Sequence, residues 1–166
     1  MVTQPGLHDN DLVLWTQLLA EVLNGEIIER LRAEHLEVRY SHGFVFQQLV
    51  GGPRPIGEIA ENLGVTSQAI SKAARELEAL GYVERTPDPA DARVRRLALS
   101  GRGRAAVEAG RATRAAINAE LAAALGVDRV NETARTLRAA LESRDAMSDV
   151  AARRVRSAQG LAGGGR

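Results

Sequence analysis

Between Ile56 and Leu80 the chain reads IGEIAENLGVTSQAISKAARELEAL, and three of its residues restrict the folds open to it: Ala60, Gly64 and Ile70. Ala60 is small enough for a second helix to cross closely over the first. Gly64 suits the left-handed end of a helix, a conformation that a Cβ disfavours. Ile70 then points back from the second helix into the space between the two. The spacing predicts two short helices joined by a tight turn. In a helix-turn-helix of this kind, the outer face of the second helix is shaped to lie in the major groove of DNA.

Thr66 is a good N-cap for that second helix. Ile70, Ala73, Ala74 and Leu77 fall on its inner face, which leaves Ser67, Gln68, Ser71, Lys72 and Arg75 outside. Gln pairs with adenine edges, and Lys or Arg pairs with N7 and O6 of guanine. All five sit in the half of the helix expected to reach base edges. Glu76 and Glu78 come later and are expected to face solvent or neighbouring helices. Two plainer readings compete: an ordinary solvated helix face, and a winged helix used for protein–protein contact without specific DNA binding.

The flanking sequence is mostly helical in pattern. Asp9, Asn10 and Asp11 mark a helix start, and the apolar positions from Leu12 through Trp15 to Leu31 form a stripe wider than one face. Such a helix is buried on two sides, which implies a partner beyond its own domain. Ser41 is the expected cap of a short helix carrying Phe44, Val45, Phe46 and Leu49. Gly51, Gly52, Pro53 and Pro55 break it. After the helix-turn-helix, Gly81 closes the second helix. Tyr82 to Thr86 and Arg93 to Leu99 read as strands of a hairpin around a polar turn from Pro87 to Ala92. Ser100 caps a helix running to Leu125 and ending at Gly126. Asp128 is the expected cap of a last helix, with Val130, Ala134, Leu137 and Leu141 along a narrow seam.

Composition narrows the function. The 166 residues include 22 basic and 21 acidic side chains, a net charge of +1, which does not suit a protein that coats DNA without preference. A specific binder remains open because Arg93, Arg95, Arg96, Arg102 and Arg104 are clustered with no acid between them. Arg93 and its neighbours are candidates for phosphates or a narrow minor groove. Asp91 is a candidate to orient Arg93, and Asp88 and Asp91 are poor DNA contacts themselves. The absence of Cys excludes disulfides and thiolate zinc sites. No apolar run approaches the ~20 residues of a membrane helix, and no signal peptide is visible, so a cytoplasmic location is expected.

The helix order, the helix-turn-helix and the segment GYVERTPDPADARVRRLALSGRGR together resemble the MarR family of winged-helix transcriptional regulators. The motif that carries the likeness is Asp91-x-Arg93, followed by Leu99-Ser100-x-x-Gly103. The resemblance covers residues 10 to 143. It implies a mainly α fold: a winged helix-turn-helix with a small β-hairpin wing and a helical dimerisation body. It also implies an obligate homodimer whose recognition helices read the major groove, with Arg93 entering the minor groove. The domain is expected over 9–143, with the DNA-binding lobe about 41–104 and dimerisation helices about 9–33 and 101–143. The remainder, 144–166, is expected to be a mobile tail.

Many relatives bind small aromatic anions between the dimer body and the DNA-binding lobe. Trp15, His42 and Phe46 are the candidates here, with His42 or Arg39 pairing with a carboxylate. The alternative is core packing for Trp15 and Phe46 and a surface position for His42. His8, His35 and His42, with Glu34 and Glu37 near His35, lack the i, i+4 spacing of a ready metal site. No nucleophile–base spacing or phosphate loop is present, so neither catalysis nor a cofactor is expected.

Overall fold

The computed structural model describes residues 10–88 and 95–146. In chain order these form α1 (Leu12–Ala33), α2 (Tyr40–Leu49), β1 (Arg54–Pro55), α3 (Ile56–Leu63), α4 (Ser67–Ala79), β2 (Val83–Pro87), β3 (Arg95–Leu99), α5 (Gly101–Leu125) and α6 (Val127–Glu142). The fold is a winged helix framed by long helices, as the sequence predicts. Asp9, Asp91, Arg93 and the residues after Ala146 lie outside the described residues.

Several local signals act as expected. The Asp11 carboxylate accepts from the Leu14 N–H at 2.9 Å and caps α1. The Thr66 hydroxyl accepts from the Ala69 N–H at 3.2 Å, and the Ser100 hydroxyl from the Gly103 N–H at 3.0 Å. Gly64 takes φ 68° and ψ 31°, and its N–H closes onto the Ala60 and Glu61 carbonyls.

Three expectations are corrected. Ser41 does not cap α2, which begins at Tyr40, two residues earlier than a Ser41 cap would set. Arg39 is the N-cap, and its N–H donates to His42 Nδ1 at 3.2 Å. Asp128 does not cap α6. Gly126 holds that position without a side-chain bond, and Asp128 sits in the first turn, where a negative charge meets the positive end of the helix dipole. The Gly51–Pro55 break also holds a strand: Arg54 and Pro55 pair antiparallel with Leu97 and Arg96, making a three-stranded sheet in the order β1-β3-β2. Two residues are too few to show an alternating pattern, and Pro suits only an edge strand.

The core lies where α2, α3, α4 and the sheet meet. Ile59, Ala74, Leu77 and Tyr82 are completely buried there, with Leu97 and Leu49 beside them. The long helices are different. Only Leu31 is buried on α1, and no residue is buried on α6. Leu12, Val13, Trp15, Leu18, Leu19 and Val22 are exposed on α1, as are Leu125 on α5 and Val127 and Leu141 on α6. Arg30 on α1 pairs with Glu120 on α5 and ties these helices together. Hydrogen bonding to Arg30 holds the Glu120 carboxyl below the usual carboxylate range. Among the described residues, no helix is long and apolar enough to cross a membrane.

Candidate nucleic-acid interface

The helix-turn-helix positions one face of α4 outward. Ile70, Ala74 and Leu77 are buried against α3 and the core, and Ala73 is half-buried. The apolar side is therefore fully used inside the lobe. Ser67, Gln68, Lys72 and Arg75 are exposed on the other side, and Ser71 is half-buried. Among the described residues, neither Lys72 nor Arg75 is paired with an acid, so both cations are available to an outside partner.

Beyond Lys72 and Arg75 the acids on α4 are engaged. Glu78 accepts from Arg85 of β2 at 2.9 Å and anchors the wing to the helix. Glu76 accepts from Arg39, with 2.9 Å between Arg39 Nη2 and Glu76 Oε1, and lies 3.6 Å from His42 Nε2. These acids therefore neutralise cations within the lobe and do not face a polyanion alone.

The basic cluster divides into different jobs. Arg96 is paired with the buried Asp88. The Arg102 guanidinium stacks over the Tyr82 ring at 4.8 Å, and Arg104 donates to the Leu99 carbonyl at 2.7 Å. Arg95 is exposed at the turn end of the hairpin, opposite Pro87, without an acidic partner among the described residues. Sequence clustering alone did not separate these roles, because each partner comes from a different element.

Behind this face is a cavity of about 240 Å³ between α1, α2 and α5. Ile27, Ile28, Leu31, Phe44, Phe46 and Val107 make it largely apolar, and Arg39, Arg114, Tyr40, Asn24 and Gln47 add polar groups. Phe46 lines it. Trp15 does not: it lies on the outward stretch of α1 and is 44% exposed. His42 does not line it either and is no surface residue, being only 3% exposed and turned toward Glu76. Burial pushes the His42 pKa down, with Glu76 opposing and Arg39 adding to the shift. Because Nδ1 accepts the Arg39 N–H, the proton of neutral His42 sits on Nε2, facing Glu76. The trio Trp15, His42 and Phe46 is thus not gathered around one space. Arg114 was missed by sequence reasoning. The available signal was Gly43 and Gly110, two helix-interior glycines that border the cavity.

A model of the MarR family matches residues 43–94. No curated protein sequence matches the chain. Among solved structures, the chain is similar to the YusO protein from Bacillus subtilis at 27% identity, with a TM-score of 0.65 over 80% of this chain and 93% of that one. It is similar to a MarR family protein, RV2887 of Mycobacterium tuberculosis, in complex with salicylic acid. There the identity is 26% and the TM-score 0.58 over 78% and 96% of the two chains. The fold is also shared with CouR, a transcriptional repressor bound to a 23-mer DNA duplex, at 21% identity and a TM-score of 0.65 over 84% and 98%.

Proposed function

We propose that this chain, which belongs to the MarR family of winged-helix transcriptional regulators and is not an enzyme, acts as a homodimeric repressor of a pseudo-palindromic operator and is released by a small aromatic anion. The observation that carries the reading is the outer face of α4, where Gln68, Lys72 and Arg75 are exposed and neither cation forms an ion pair among the described residues. In this reading Ser67, Gln68, Ser71, Lys72 and Arg75 approach base edges and nearby phosphates. Arg95 and Arg93 serve the wing, with Asp91 orienting Arg93. The last three roles rest on the family resemblance, apart from the exposure of Arg95.

Dimerisation is supported by the apolar surface left open on α1, the end of α5 and α6. A two-fold dimer sets its recognition helices about one DNA turn, ~34–36 Å, apart. Ligand release is supported by the cavity, whose apolar walls suit a ring and whose Arg39 and Arg114 suit a carboxylate. The salicylic acid complex of RV2887 makes salicylate the first compound to try. A cytoplasmic location fits a regulator of DNA.

The test is selection of bound sequences from random DNA, followed by titration of the selected site with and without salicylate. Two inverted half-sites one turn apart are expected, with affinity falling when salicylate is present. Selection that enriches no sequence would leave a protein-contact module as the better reading.

A further inference from the structure

The cavity and the recognition helix share one side chain. Arg39, at the N-cap of α2, lines the cavity and also holds Glu76 of α4. Glu76 is the acid within reach of the buried His42 as well, so α2 grips α4 through one carboxylate. The Arg39 side chain is 71% exposed, which leaves its guanidinium free to swing between partners. An arginine fork matches a carboxylate in two parallel hydrogen bonds, whether that carboxylate belongs to Glu76 or to a bound molecule. Both geometries cannot be satisfied at once by the same pair of N–H groups.

We infer that Glu76 is the coupling point of the regulator: an anionic occupant of the cavity competes with Glu76 for Arg39 and so removes a strut from the recognition helix. This rests on the reading of the cavity as a ligand site and specifies how that site acts on DNA binding. Glu76 is a positioning residue in this scheme. It touches neither base nor ligand and acts through Arg39. Binding and release are then reciprocal, because whatever frees Arg39 from Glu76 favours the occupant, and whatever holds it favours the DNA-binding arrangement. The cavity has open space along its α2 and α5 walls. A Cβ built on Gly43 meets nothing within 4 Å, and one on Gly110 meets only the end of the Arg114 side chain at 3.7 Å.

The test compares wild-type protein with Glu76→Gln, an isosteric change that removes the charge. Salicylate and its neutral analogue salicylamide are titrated by calorimetry, and operator affinity is measured with and without salicylate. Competition predicts that Glu76→Gln binds salicylate about two- to fivefold tighter, the equivalent of one exposed ion pair, with salicylamide unchanged. It also predicts that the ratio of operator affinities without and with salicylate shrinks toward one. A purely structural role for Glu76 does not tighten salicylate binding. Unchanged or weaker binding in Glu76→Gln, or full release of operator by salicylate in that variant, overturns the coupling while leaving the cavity as a ligand site. Wild-type protein that binds salicylate at neither the cavity nor elsewhere overturns the ligand reading and the coupling with it. Gly43→Leu, which adds a bulky side chain to the α2 wall of the cavity one turn from Arg39, tests the location: salicylate must lose affinity for it if the occupied site is this one.

Discussion

Gly103 sits so close to the Tyr82 carbonyl that a Cβ built on it would lie 2.0 Å from the oxygen. The same carbonyl accepts the Ser100 N–H at 3.0 Å, and the Ser100 hydroxyl donates to the Gly81 carbonyl at 2.6 Å. The Leu-Ser-x-x-Gly motif is therefore a joint. Ser100 caps α5 and ties it to the turn before β2, and Gly103 lets the first turn of α5 lie against that turn. The joint links the wing to the long helix that leads away from the lobe.

Gly103→Ala should destabilise the protein by about 1–3 kcal/mol, since the obstacle is backbone and cannot move aside like a side chain. Gly101→Ala, two residues earlier on the same helix, meets nothing within 4 Å and should change stability little. Urea unfolding of the two variants checks this. Equal stability would mean that the α5 entry adjusts more freely than its geometry suggests.

The arginine cluster gives a selective prediction about DNA. Arg75→Ala and Gln68→Ala should weaken binding to the selected operator by ~1–3 kcal/mol each, and weaken binding to scrambled DNA less. Arg95→Gln should lower the salt slope by about one unit. Arg104→Gln should leave the slope unchanged, because that guanidinium is used on the Leu99 carbonyl. Titrations at several salt concentrations decide it. Equal slope losses for Arg95 and Arg104 would show that the cluster acts as undivided charge.

Most of the architecture was legible in the sequence because local chemistry set it. Thr66, Ser100, Gly64 and Gly126 mark element ends through their own backbone and cap preferences. Their positions follow without knowledge of the tertiary fold. The miss at α2 has a tertiary cause. Ser41 is the better intrinsic cap, but His42 is buried beneath α4 and supplies the acceptor for the Arg39 N–H, which starts the helix earlier. The candidate site was half legible for the same reason. The outer face of α4 follows from helical period alone. The cavity depends on which faces of α1, α2 and α5 meet, and that placed Phe46 at the cavity while leaving Trp15 outside.

His42 makes stability depend on pH in a defined direction. Burial lowers its pKa in the folded state below the ordinary value of 6.5. The unfolded chain then binds more protons in that window, so stability is full above about pH 6.5 and falls as pH drops through it, by at most ~1.4 kcal/mol per pH unit for one group. The local cause is also visible: a proton on Nδ1 faces the Arg39 N–H that it now accepts, and the start of α2 loses its bond. Urea midpoints at pH 7.5 and 5.5 should differ for the wild type. His42→Gln, though less stable itself, should show a flatter dependence. A wild-type midpoint constant over that range would place the His42 proton elsewhere.

Trp15 offers a direct reading of assembly, because it is the single tryptophan and lies on the uncovered stretch of α1. Leu12, Leu18, Leu19 and Val22 are exposed on the same helix. Leaving these side chains in water forgoes ~1.5–3 kcal/mol for each that a partner could bury fully. A second copy of the chain, with α5 and α6 completing the contact, is the occupant argued for above. Emission from Trp15 should therefore lie toward the blue at micromolar concentration and shift red on dilution, with the same midpoint as the fall in sedimentation coefficient. Leu19→Glu, which places a charge in the contact, should give red-shifted emission and a monomer at all concentrations while the winged lobe stays folded. That variant should also lose cooperative binding to paired half-sites, falling to the affinity for one. A wild-type protein that sediments as a monomer with unchanged Trp15 emission would mean that α1 is covered by something other than its own copy.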